Sequence, residues 1–168
     1  MTRFPDTRWR VVLKAGNRNE LGSREALATL IEGYWYPVYA YVRHRGYKRE
    51  TAADLTQGFF ALLMEKDILQ GVEEGRGRFR SYLLVTLGHF LANERDRERA
   101  IKRGGEAQIV SFHADEAGKR YDLEPRDDRT PESLFDRQWA LETFERALDR
   151  LGGEIQEGSR QKIFDALR

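Results

Sequence analysis

RFRSYLLVTLGHFLANERDRERAIKRGG (residues 78–105) is a long proline-free run whose apolar residues recur at helical spacing. With Tyr82 placed at zero and about 100° per residue, Leu83, Leu84, Leu87, Phe90 and Leu91 fall between about 80° and 200°. Tyr82, Thr86, His89, Asn93, Asp96 and Arg97 fall within about 60° of zero. One side is a core face; the other is a stripe of aromatic, hydroxyl, imidazole and amide groups. Beyond Leu91 the apolar stripe gives way to Glu94 and Glu98. The spacing therefore predicts a helix that projects past its core and ends at Gly104-Gly105, with Arg95, Arg97, Arg99, Lys102 and Arg103 exposed.

Working outward, the flanking stretches also read as helices. Upstream, FPDTRWRVVLKAG (4–16) is a short helix with Asp6 or Thr7 as cap, Trp9, Val12 and Leu13 on one face and Gly16 as its stop. Ser23 can cap the next helix, whose stripe is Leu27, Leu30, Ile31, Tyr34, Trp35, Val38 and Val42; Pro37 should kink it and Gly46 end it. From Arg49 to Leu69 a third helix places Ala52, Leu55, Phe59, Leu62 and Lys66 along an inner seam. Asp54, Gln57, Phe60, Ala61 and Met64 fall together on the side away from Leu55, where solvent is expected, unless the helix is buried on two sides. GVEEGRG (71–77) is a glycine-rich connector without the spacing of a phosphate loop. Downstream, residues 108–131 carry no sustained period and read as a linker. TPESLFDRQWALETFERALDRLGGE (130–154) reads as a helix with Thr130 as cap and Pro131 at its first position, ending at Gly152-Gly153; SRQKIFDALR (159–168) begins another. The fold class is all-α, with four or five helices and no convincing strand.

Composition bounds what these helices can do. The chain has 168 residues, 40% of them apolar, with 9 Phe, 7 Tyr and 3 Trp, enough to build a core. No stretch suits a membrane span or a secretory signal, so a cytoplasmic protein is expected. Without cysteine, disulfides, thiolate metal sites and cysteine nucleophiles are excluded. Net charge is +1, but it is polarised: residues 76–103 hold eight basic against three acidic groups, and residues 114–154 twelve acidic against seven basic. A basic segment thus precedes an acidic one.

Catalysis has little to stand on. His44, His89 and His113 do not share a metal-binding spacing, no nucleophile motif is present, and the acidic pairs fall in loops. Neither a catalytic residue, nor a metal, nor a cofactor is expected. Nucleic-acid binding uses more of the sequence, since arginines suit phosphates while aromatic and amide groups suit bases. In the 80–103 helix, Tyr82 can stack, His89 and Asn93 can bond base edges, and the flanking arginines can hold the backbone. A merely solvated helix face is the alternative.

YWYPVYAYVRHRG (34–46), TAADLTQGFFALLMEKD (51–67) and the stretch from Gly77 to Gly105, in this order and spacing, resemble region 2 of bacterial RNA polymerase sigma factors of the extracytoplasmic-function group. The resemblance covers about residues 4–105; DLTQGFF (54–60) and FLANERDRERA (90–100) are its most specific parts. It implies that the third helix docks on the clamp-helix coiled coil of the polymerase β′ subunit through Asp54, Leu55 and Gln57, on or near the surface of Phe60, Ala61 and Met64. Gly58 stands where the family usually has glutamate. It also implies that Arg78, Phe79, Arg80, Ser81, Tyr82, Thr86, His89, Asn93, Arg97, Arg99, Lys102 and Arg103 bind promoter DNA. Phe79, Arg80 and Ser81 would belong to a loop that captures a flipped base of the non-template strand of the minus-ten element. Tyr82 stands at a common tryptophan position, His89 at a frequent asparagine and Asn93 at a frequent aspartate.

The resemblance thus divides the chain into a region 2-like helical domain (1–106), an acidic linker (107–129) and the start of a region 4-like helical domain (130–168) without its helix-turn-helix. The function it implies is a transcription initiation factor that binds core RNA polymerase and melts the minus-ten element; an anti-sigma factor is a further conceivable partner. The alternative is a helical regulatory adaptor that binds polymerase or another protein without opening DNA.

Overall fold

The computed structural model describes residues 9–17, 19–65, 67–69, 72, 78–101, 114–123 and 130–166. These form six helices and one 3₁₀ turn, with no strand among the described residues: α1 (Trp9–Gly16), α2 (Ser23–His44), α3 (Arg49–Glu65), the turn Asp67–Leu69, α4 (Phe79–Ile101), α5 (Ala114–Leu123) and α6 (Pro131–Ala166). No helix among them is long and apolar enough to cross a membrane.

α2 is the central element, touched by α1, α3, α5 and α6. Its sequence explains this: every residue from Tyr36 to Val42 is buried, so the helix is surrounded and not merely one-faced. Aromatic rings supply most of that surface. Tyr34 meets Phe79 edge-on at 5.5 Å and stacks on Phe135 and Trp139 at 6.2 and 6.5 Å, joining α2, α4 and α6 in one core. Burial pushes the Tyr34 hydroxyl up to about 12, against smaller opposing effects of Trp139 and Arg80.

The helix ends follow local chemistry. Gly22, at φ 82°, precedes α2, and Ser23 is the first helical residue, not the cap; its hydroxyl instead donates to the Ala15 carbonyl at 3.4 Å, tying α1 to α2. At the other end Gly46 takes φ 91° and its N–H donates to the Arg43 carbonyl, the left-handed stop that glycine permits. Gly16, the last residue of α1, is needed for close approach: a Cβ there would lie 2.8 Å from the Leu69 carbonyl oxygen. Asp6 and Thr7 lie outside the described residues. Leu13, expected on the inner face, is exposed. α2 runs unbroken through Pro37. The carbonyl that Pro37 leaves without its helical donor belongs to Gly33, and a Cβ at Gly33 would stand 3.1 Å from Arg146 Nη1.

Two expectations for the second half need correction. The linker contains α5, which buries Ala117 and Gly118 and packs on α2 and α3. Arginines hold it: Arg43 pairs with Asp122 at 3.0 Å and lies over the Tyr121 ring, while Arg120 pairs with Glu142 at 2.6 Å and stacks on Tyr36. A Cβ on Gly118 would overlap the Arg49 guanidinium. Second, Gly152-Gly153 does not end a helix; α6 runs through it, 36 residues in all, and takes in the stretch from Ser159 that was expected to begin another. Its start is as read, with the Ser133 N–H donating to Thr130 Oγ1 at 3.2 Å. Leu134, Phe135, Gln138 and Trp139 enter the core, whereas Leu141, Phe144, Leu148, Leu151 and Ile155 are exposed.

Candidate functional site

α4 packs through Phe79, Leu83, Leu87 and Leu91, each four residues from the last. This seam leaves Arg78, Ser81, Val85, His89, Ala92, Asn93, Asp96 and Arg97 exposed. His89, Asn93, Asp96 and Arg97 therefore share the solvent side, as their spacing predicts. Leu84 and Phe90, assigned to the core, are only half-buried. Tyr82 and Thr86 are half-buried too, and their hydroxyls are engaged. Tyr82 donates to the Ile68 carbonyl at 2.7 Å while its ring stacks on Phe79, and Thr86 Oγ1 donates back to the Tyr82 carbonyl at 2.9 Å. Arg97 lies 3.7 Å from Glu94 one turn away, and Arg95 donates to the Tyr47 hydroxyl at 3.5 Å. Arg99 has no described side chain, and Lys102 and Arg103 lie outside the described residues.

The start of α4 departs from the expectation of a capture loop. Phe79, Arg80 and Ser81 form the first helical turn, with the Ser81 N–H donating to the Arg78 carbonyl at 2.9 Å. Phe79 is buried against Tyr34, because the seam of leucines continues one turn further back than the loop assignment allowed. Arg80 is held by α6: its Nε lies 2.7 Å from Asp136 Oδ1, its guanidinium stands 4.5 Å above the Trp139 ring, and the side chain is 12% exposed. Asp136 and Trp139 sit one turn apart on α6, so both reach the same guanidinium.

On α3 the buried residues span a wide arc: Ala52, Ala53, Leu55, Thr56, Phe59, Phe60 and Leu63. The centre of that arc lies near Thr56 and Leu63, about 80–100° round from Leu55, which places Phe60 at its edge and inside. Phe60, expected on the outer face, is 5% exposed and packs 5.6 Å from Phe59. Leu55 is buried as well. What remains outside is a narrower stripe at three- and four-residue spacing: Asp54 and Gln57 exposed, Ala61 half-buried, Met64 48% exposed. The Asp54 carboxyl is held above its usual range, first by partial loss of water and second by Glu50 beside it. Met64 also lines an apolar groove of about 520 Å³ with Leu27, Ile31, Leu63 and Leu69, between α1, α2, α3 and the 3₁₀ turn.

α3 and α4 meet where Phe90 packs 5.7 Å from Phe59 and its Cζ would stand 3.3 Å from a Cβ on Gly58. Gly58 thus lets the Phe90 ring close over α3. The two outer stripes are carried by helices locked together at this point. Among the described residues, no group of three or more histidine or acidic side chains is placed to hold a metal ion. The Arg80 clamp is the feature that sequence reading missed; Asp136 and Trp139 at i, i+3 were visible, but their partner across the core was not. No family model matches the chain, and neither a curated protein nor a solved structure does.

Proposed function

We propose that this chain is a transcription initiation factor of the sigma region 2 kind, which docks on core RNA polymerase through α3 and binds the non-template strand of the minus-ten element through α4. The observation that carries this reading is the pairing of two outward stripes on interlocked helices: Asp54, Gln57, Ala61 and Met64 on α3, and His89, Asn93 and Arg97 on α4. The α3 stripe offers a carboxylate, an amide and a thioether on one line, a set suited to a helical partner with basic and apolar groups. The α4 stripe offers hydrogen-bonding groups for base edges next to cations for phosphates. Promoter opening needs no hydrolysis; strand separation costs a few kcal/mol per unstacked base and is offset by binding the displaced strand.

One observation favours the adaptor reading. Phe79 is buried and Arg80 is clamped, so two groups of the implied capture element are turned away from solvent. Binding to a single-stranded minus-ten oligonucleotide separates the two. An initiation factor binds it with affinity that falls steeply as salt rises and drops on His89→Ala or Asn93→Ala; an adaptor shows no such binding.

A further inference from the structure

The Arg80 clamp has an unusual division of labour. Trp139, which carries the guanidinium on its ring, is buried and stacked on Tyr34, so it is a fixed part of the core. Asp136, which neutralises the guanidinium, is 53% exposed at its side chain. Rotation of that one carboxylate toward water would uncover an arginine already stacked and oriented, with no movement of the helix beneath it. Arg78 and Ser81, both exposed, flank the same turn of α4. The charge distribution agrees, since Asp136 belongs to the acidic segment and Arg80 to the basic one.

We propose that Arg80 on its Trp139 platform is a latent site for a phosphodiester of single-stranded nucleic acid, and that the Asp136 carboxylate occupies the phosphate position until the strand displaces it. Both anions suit a guanidinium through charge-assisted hydrogen bonds, so the exchange swaps one acceptor for another. Asp136 thereby weakens binding without abolishing it, because the strand must displace a carboxylate already paired with the guanidinium. The proposal rests on the reading of α4 as a nucleic-acid surface.

Fluorescence anisotropy of a labelled single-stranded oligonucleotide with the full chain tests it. Asp136→Asn, nearly isosteric, should tighten binding about fivefold. Asp149→Asn, the same charge change further along α6, should leave affinity within about 1.5-fold, since an exposed charge at that distance is screened. In Arg80→Gln the further change Asp136→Asn should bring no gain, and the slope of log affinity against log salt should fall by about one. An equal gain from Asp149→Asn, a gain that persists without Arg80, or no gain at all from Asp136→Asn would each overturn the latent site while leaving α4 as a binding surface. Absence of salt-dependent binding by the parent chain and every variant would overturn the nucleic-acid reading itself, and this proposal with it.

Discussion

Single residues in this fold carry opposite penalties for the same chemical change. Gly16→Ala would drive a methyl group into the Leu69 backbone carbonyl, and a loss of about 1–3 kcal/mol in urea unfolding is expected. Gly88, in the interior of α4, has nothing within 4 Å of the place a methyl group would take, so Gly88→Ala should gain about 0.5–1 kcal/mol from helix propensity alone. Tyr34 sets an alkaline limit. Its hydroxyl ionises near 10 in the unfolded chain and near 12 when folded, so its contribution is intact below pH 10 and is lost as pH rises from 10 to 12. Tyr34→Phe should flatten that part of an alkaline stability profile; an unchanged profile would mean that burial of this hydroxyl does not govern it. Asp54 acts in the other range. Its raised folded value is a penalty felt above that value and relieved as pH falls toward the usual 3.8, so Asp54→Asn should stabilise the protein at neutral pH and lose its advantage in acid.

At the level of elements, what was legible depended on how local the signal was. Leu83, Leu87 and Leu91 announced the inner seam of α4, and Thr130 with Pro131 announced the start of α6. Phe60 was misplaced because α3 packs on two sides, and periodicity gives the direction of an apolar arc but not its width. α5 was invisible because its inward residues, Ala117, Gly118 and Tyr121, are too small or too few to make a stripe, and its anchors are arginines on α2 and its own Arg120. Gly152-Gly153 looked like a stop, yet a glycine pair weakens a helix by about 2 kcal/mol and does not break it. Replacing both by alanine should slow amide hydrogen exchange around residues 150–155 without changing the unfolding midpoint of the core, since no Cβ there meets a neighbour within 4 Å.

For the whole molecule, the helical class and the two outward stripes could be read from the chain, whereas the meeting of its basic and acidic parts could not. Arg80 with Asp136 joins the basic segment to the acidic one, while Arg43 with Asp122 and Arg120 with Glu142 tie α5 to α2 and α6. The opposite net charges of the two segments named no pair, because Arg80 and Asp136 meet only where the start of α4 lies against α6, which only packing fixes. Phe135 and Trp139 give that packing its energy by entering the aromatic core around Tyr34.

Capture of bacterial core RNA polymerase by the immobilised full chain, set beside its Asp54→Arg variant, bears most directly on the proposed role. Asp54 is exposed and outside the core, so the variant should keep the helix content of the parent. The expected result is retention of polymerase by the parent chain and its loss on reversing this one charge. Equal retention by both, or by neither, would contradict docking through α3.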